Sequence, residues 1–469
     1  MQRNILLVEP NYKTKFPPLG LMKISAYHKQ VGDNVQFVKG LNQNVQYTFW
    51  DRIYIATLFT YNWSITIDTI KWYKWLVKND VSRICVGGIM ATLMADELWK
   101  ETGIVPIRGL LNSPDLVNDD HGLIIEDMTP DYSLFDNTSC KYTLLSDSYF
   151  GYTTRGCVRT CPFCGVHILE PNFIEYKGIK PYIDSIERLY GTKNHLILFD
   201  NNVLASKKFN NIISDIVDLG FHKGAKDSAR RARYVDFNQG VDARYIKEDK
   251  FKLLSKISIN PLRIAFDDIK LEKTYTKSIA LAAKYDIRHL SNYILYNYND
   301  TPEDFWKRLK INIALNKEYD LQIYSFPMKY IPLNARDRTY IGKNWNWQFI
   351  RGVQRILNVM KGAVMAREDF FNRAFGETVD EFLTILHMPE HILMNRGYHP
   401  PPEETEWLSK FNNLTGNERK ELLATLCENR TKSKLTQAVI KLQNNKIREI
   451  LTMYLPDRYS LPLIDDLVQ

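Results

Sequence analysis

No stretch of the chain approaches the roughly 18 consecutive apolar residues that a membrane-spanning helix requires. After Met1-Gln2-Arg3-Asn4 only Ile5 to Val8 are apolar, too short a run for the core of a signal peptide. These two absences predict a cytoplasmic protein with no membrane partner. Cysteine is sparse, six residues in 469, which in a cytosolic chain argues against a disulfide framework. Charge of one sign is not in large excess either: 62 Lys and Arg stand against 54 Asp and Glu, a formal net charge of +8. That balance permits a polyanionic partner without requiring one. No internal repeat is found.

What is present is ordinary in bulk and unusual in one place. Apolar residues make up 45% and charged residues 25%, a globular composition, and the length suggests about two or three domains. To about residue 140, short apolar runs alternate with helical patterns. Strands are predicted at Ile5 to Val8, Val35 to Val38, Ile53 to Leu58 and Ile84 to Val86, with helices over Leu21 to His28 and Ile65 to Val77. Buried strands alternating with helices imply a parallel, doubly wound, Rossmann-like α/β domain over residues 1–140. Gly87-Gly88 at a strand end could let a backbone approach a ligand, or simply make the turn. Residues 112–137, rich in Asp, Asn, Pro and Ser, read as a linker.

Six further strand signals follow, at Phe150 to Thr153, Leu196 to Phe199, Val235 to Phe237, Leu262 to Phe266, Tyr293 to Tyr296 and Leu321 to Phe326. Six βα units in a row predict a partial (β/α) barrel over residues 141–335, with its chemistry at the carboxyl ends of the strands. Residues 336–469 have helical spacing, over Trp347 to Met365, Phe370 to Leu386 and Asn417 to Leu426. Thr415-Gly-Asn-Glu418 predicts a capping box, and Pro400 to Glu404 an extended hinge. At Thr301-Pro302-Glu303-Asp304 the residues have a complete helix-start explanation.

Three of the six cysteines sit within eight residues, in Tyr152-Thr-Thr-Arg155-Gly156-Cys157-Val-Arg159-Thr-Cys161-Pro162-Phe163-Cys164-Gly165. Clustering of this kind points to metal or redox chemistry, whereas Cys85, Cys140 and Cys427 are scattered and read as small buried residues. Three thiolates can bind three irons of a cubane and leave the fourth open to a small chelating molecule. The competing reading adds His167 and makes a Cys3His zinc site. Basic residues also bunch at Lys223, Lys226, Arg230, Arg231 and Arg233, either a nucleic-acid contact or a solvated loop. With the many aromatic residues this supports a third reading, a zinc-stabilised nucleic-acid-binding protein without catalysis.

Cys-x3-Cys-x2-Cys with Phe163 before the last cysteine resembles the signature of the radical S-adenosylmethionine (SAM) superfamily. The resemblance implies a partial (β/α)6 barrel and a [4Fe–4S] cluster on Cys157, Cys161 and Cys164. It also implies SAM chelating the open iron, and reductive cleavage to a 5′-deoxyadenosyl radical that abstracts a substrate hydrogen. Phe163 would then pack against the cluster or the adenine. Asp200 and Asn202 stand where the family holds the SAM amine. Asn238, Gln239, Asp242 and Arg244 stand where it meets ribose and carboxylate, and Asp267 or Asp268 could take ribose hydroxyls. Local readings stay open beside these: an Asx turn at Asp200, a bridge from Arg244 to Asp242, a helix cap at Asp267 or Asp268. A flavodoxin- or ferredoxin-type partner would supply the electron. Pro17-Pro18-Leu19-Gly20 after the first strand resembles the cobalamin-binding-type domain that precedes many such barrels. The family's Asp-x-His-x-x-Gly is absent and His28 lacks its neighbours, which argues against histidine-ligated cobalamin and leaves binding without a protein ligand open. Methyl or methylthio transfer is the alternative on the same scaffold. A nucleoside, a nucleic acid, a peptide and a small metabolite are all compatible substrates.

Overall fold

A computed structural model describes residues 2–114, 116–117, 121–397 and 400–455. The chain begins with four parallel strands, β1 (Asn4–Glu9), β2 (Asn34–Lys39), β3 (Arg52–Thr57) and β4 (Ile84–Gly88), in the spatial order β2-β1-β3-β4. Ile5, Leu6, Leu7 and Val8 are all fully buried, as a strand covered on both faces requires. Helix α1 (Leu19–Gln30) packs Leu21, Met22 and Tyr27 against the face that carries Ile5, Leu7 and Tyr54. Helices α2 (Trp63–Leu76), α3 (Ile89–Leu93) and α4 (Ala95–Thr102) cover the opposite face, with Leu6, Val8, Ile53 and Ile55. Strand order reverses between β1 and β3, and the crevice at such a switch is where open α/β sheets take ligands. Gly88 has φ +111, and a side chain there would collide with the Thr57 carbonyl, so only glycine fits where β4 ends beside β3 and turns into α3.

Residues 112–137 do more than link. Ser113 and Pro114 are described, as are Leu116 and Val117, whereas 115 and 118–120 lie outside the described residues. Ile125, Tyr132, Leu134 and Phe135 enter the main core, and Asp131 holds Ser25 at 2.6 Å and Lys29 at 2.7 Å on α1. Apolar residues at irregular spacing gave no periodic signal, so the composition hid the packing.

The second set of strands is β5 (Ser148–Gly151), β6 (His195–Leu198), β7 (Tyr234–Phe237), β8 (Leu262–Arg263), β9 (His289–Tyr296) and β10 (Gln322–Lys329). They form two parallel ladders, β5-β6-β7 and β8-β9-β10. Parallel bridges Val235 to Ile259 and Val241 to Ile264 join the segments that flank β7 and β8. Between the strands lie α5 (Val166–Leu169), α6 (Lys180–Tyr190), α7 (Phe209–Asp218), α8 (Glu248–Leu254), α9 (Glu272–Lys284) and α10 (Pro302–Tyr319). At α10 the predicted start is present: Thr301 and Asp304 form a reciprocal capping box and Pro302 opens the helix. One apolar core runs from Ile5 and Tyr54 of the first sheet through Phe150, Leu196 and Leu290.

Eight helices complete the described chain: α11 (Trp347–Val359), α12 (Glu368–Phe375), α13 (Val379–His387), α14 (Glu390–Asn395), α15 (Pro402–Asn412), α16 (Gly416–Glu428), α17 (Lys432–Lys441) and α18 (Asn445–Thr452). Their core, with Trp407 and Phe382 fully buried, continues onto Tyr296 and Phe305 of β9 and α10. The Thr415–Glu418 capping box is formed. Two expectations need correction. The single helix over 370–386 is two, because the chain turns at Gly376 and Thr378 caps a new helix through the Glu381 amide. The hinge at 400–404 shrinks, because Pro401 is extended but Pro402 supplies the first residue of α15. Residues 456–469 of the predicted helical region lie outside the described residues.

Candidate functional site

The cysteine loop leaves the carboxyl end of β5. Its first anchor is Asp200, fully buried just beyond β6, whose carboxylate accepts the Thr153 amide at 3.0 Å and hydroxyl at 2.8 Å. The Thr154 hydroxyl donates at 2.6 Å and the Thr154 amide also donates. Burial raises the Asp200 pKa, opposed by those four donors. The side chain is thus spent on the loop, and acts in this structure as the strand-end anchor rather than as a free carboxylate. Arg155, fully packed, stacks on the Tyr152 ring at 3.8 Å and pairs with Glu170 at 2.9 Å. Backbone bonds to Ile174 in both directions hold Arg155 in place. Gly156 has φ +71, and a Cβ there would lie 2.5 Å from the Asn172 carbonyl, so the loop can cross at this point only without a side chain.

Cys157 follows. Its sulfur accepts the Arg159 amide and the Asn202 side-chain amide, each at 3.4 Å, while Asn202 Oδ1 is buried without a partner. The Cys164 amide closes a turn on the Cys161 carbonyl at 3.0 Å. Burial pushes the Cys164 thiol up, aided by Cys161, Cys157 and Asp267. A thiol held up in this way, close to two others, is a donor suited to a cationic iron centre that would compensate the thiolate charge. No three His, Cys, Asp or Glu side chains among the described residues converge on one metal-ion position.

The other sequence-derived candidates divide. Phe163 packs edge-on to Tyr298 at 5.6 Å. Arg244 is bidentate to Asp242 at 2.6 and 2.8 Å and also interacts with Cys161, so its bridge to Asp242 is formed and still lies beside the cysteines. Asp267 is pushed up to about 6 by burial, against the pull of Arg308 and Arg244. Arg308 fixes that turn by donating to the carbonyls of Phe266, Asp267 and Leu295. Asp268 caps the turn that follows, at the Lys270 amide. Asn238 is held through its main chain, its carbonyl accepting the Tyr293 hydroxyl at 2.8 Å. Gln239 is exposed beside it. In the Lys223–Arg233 cluster, Lys223 pairs with Asp286 and Arg231 with Asp227, while Arg233 lies over Phe221 and binds main-chain carbonyls.

Sequence reasoning missed Glu170, whose second oxygen accepts the Gly156 amide at 2.5 Å, and the segment after β10. There Asn297 holds the carbonyls of Tyr330 and Tyr340, Leu333 reaches Gly165, and Arg336 and Arg338 lie over Trp63 and Tyr61. Only position in the chain signalled these residues. His28 is fully buried with both ring nitrogens occupied, by Asp33 at 2.7 Å and the Tyr54 hydroxyl at 2.9 Å. A cavity of about 200 Å³ opens at the carboxyl edge of the first sheet, between Leu19, Gly87, Gly109 and Leu111 on one side and Tyr152 and Arg155 on the other.

No family model matches the chain, and no curated protein does. Solved structures do. TsrM from Kitasatospora setae, a radical SAM methyltransferase with cobalamin and a [4Fe–4S] cluster bound, superposes with a TM-score of 0.52 at 14% identity, covering 71% of this chain and 77% of that one. The same enzyme with its tryptophan substrate and the SAM analogue aza-SAM gives 0.53 at 14% identity, over 71% and 75%. The chain shares the fold of TsrM over 71% of its length. SuiB from Streptococcus suis, bound to the precursor peptide SuiA, matches over 45% of this chain and 44% of its own at 12% identity, with a TM-score of 0.31.

Proposed function

We propose that this chain is a radical SAM enzyme in which Cys157, Cys161 and Cys164 hold a [4Fe–4S] cluster at the mouth of a partial (β/α)6 barrel. The observation that carries the reading is the cysteine loop itself. It leaves the first strand of a six-strand parallel series, presents three thiols, and occurs in a fold shared with an enzyme of that chemistry. On this reading residues 1–140 form a Rossmann-like domain, 141–335 the barrel and 336–469 a helical region. When bound, the cluster supplies one electron that splits SAM into methionine and a 5′-deoxyadenosyl radical, which takes a hydrogen from the substrate.

The chain's own residues bind and orient. Asn202 donates to the Cys157 sulfur and keeps an acceptor oxygen free for the SAM amine. Arg244 exchanges part of its Asp242 pairing for the SAM carboxylate, a bidentate partner. Asn238, Gln239 and Asp267 offer polar groups to the ribose, and Phe163 with Tyr298 shields the site from water. Asp200 positions the loop through Thr153 and Thr154. A flavodoxin- or ferredoxin-type protein delivers the electron. No helix among the described residues is long and apolar enough to cross a membrane.

A second reading, methyl transfer, is favoured by the shared fold of TsrM and by the cavity at the first sheet. A corrinoid there would have no histidine from His28, whose nitrogens are both engaged. Incubating the reconstituted protein with SAM and reductant separates the readings. 5′-Deoxyadenosine as the SAM product supports hydrogen abstraction, and S-adenosylhomocysteine supports methyl transfer. Neither product, from a chain that takes up no iron, would overturn both.

A further inference from the structure

Four charged side chains form a line from the first sheet to the cysteine loop. Lys23 on α1 is almost fully buried, and its ammonium meets the Glu126 carbonyl at 2.7 Å and carboxylate at 3.2 Å. The Glu126 carboxylate also faces Arg155 at 3.7 Å. Arg155, 4% exposed, pairs with Glu170 at 2.9 Å. The other Glu170 oxygen accepts the amide of Gly156, immediately before the first cysteine, and the side-chain amide of Asn201 at 3.4 Å. Lys23, Glu126, Tyr152 and Arg155 also form the inner wall of the cavity at the sheet edge. Water is largely excluded along this line, so the charges are weakly screened.

Resting on the cluster assignment above, we propose that Lys23, Glu126, Arg155 and Glu170 form a charge relay through which the first sheet and its cavity set the reduction potential of the [4Fe–4S] cluster. Lys23 and Glu126 are positioning residues, since they act through Arg155 and touch no cysteine. Each added positive charge near a cluster favours its reduced form, and each added negative charge its oxidised form. An occupant of the cavity lies against the relay and so shifts the same balance.

The sign of the effect separates a relay from mere support. In the full chain with its cluster reconstituted, Lys23→Met lowers the midpoint potential measured by EPR-monitored titration, and Glu126→Gln raises it. The double variant returns close to the parent, and Lys23→Arg leaves the potential unchanged. Iron and sulfide per chain stay at the parent level in all four. Unchanged potentials with full iron would overturn the relay and leave the cluster assignment intact. Shifts of the same sign in both single variants, or iron lost from both, would also overturn it, since loosened packing gives that pattern. A parent chain that takes up no [4Fe–4S] cluster would overturn the cluster assignment and the relay with it.

Discussion

At Gly156 the chain has φ +71 and passes under the carbonyls of Asn172 and Glu170, with no room for a methyl group. Replacing Gly156 by alanine forces either the left-handed strain or the segment 170–172 to give. We expect Gly156→Ala to lower the unfolding free energy by about 1–3 kcal/mol, measured by urea denaturation, and to take up much less iron than the parent. Full iron loading in this variant would show that the loop is not held as described. The three cysteines stand out in the sequence because the chemistry proposed for them depends on spacing along the chain, which a sequence displays directly. The role of Asp200 was half legible. Its place beyond a strand was clear, but its donors, Thr153 and Thr154, lie more than forty residues earlier, and only folding brings them together. Arg155 sits in the motif, yet nothing in the sequence couples it to Glu170 or Glu126.

Among the elements, strands declared themselves as apolar runs, and helices with strong start signals were found with those signals intact, as at Thr301 and Thr415. What periodicity could not reveal was where an apolar pattern continues across a break, as between α12 and α13, or where irregular chain is buried, as over 125–135. The end of α13 carries a titration that follows from its packing. His387 lies between Phe349 and Phe411, each 5.0 Å away, and its Nδ1–H donates to the Leu383 carbonyl at 2.7 Å. Burial, with Arg419 nearby and against that hydrogen bond, pushes it down to about 4 from 6.5. The unfolded chain therefore takes up this proton at higher pH than the folded one. Stability is unaffected above about pH 6.5 and falls as pH drops toward 4, by up to about 3 kcal/mol. Urea denaturation at pH 7 and pH 4.5 will show a smaller difference for His387→Gln than for the parent. An equal difference in the two proteins would contradict the assignment.

At the scale of the whole molecule, the first sheet, the strand series and the segment after β10 meet beside the cysteine loop, where Val158, Thr160 and Pro162 stay exposed. One apolar core joins Ile5 and Tyr54 to Phe150 and Leu290, α3 meets the loop where Leu93 contacts Gly165, and Arg336 and Arg338 close over Trp63 and Tyr61. The claim on which the rest depends is that this loop carries a cluster with one iron open to SAM. The direct measurement is iron and sulfide analysis with EPR of the dithionite-reduced protein, reconstituted anaerobically, with and without SAM, in the parent and in Cys161→Ala. The account predicts a [4Fe–4S] complement in the parent, a reduced-cluster signal that changes when SAM is added, and neither in the variant. A parent that binds zinc instead of iron, or a cluster signal indifferent to SAM, would contradict it.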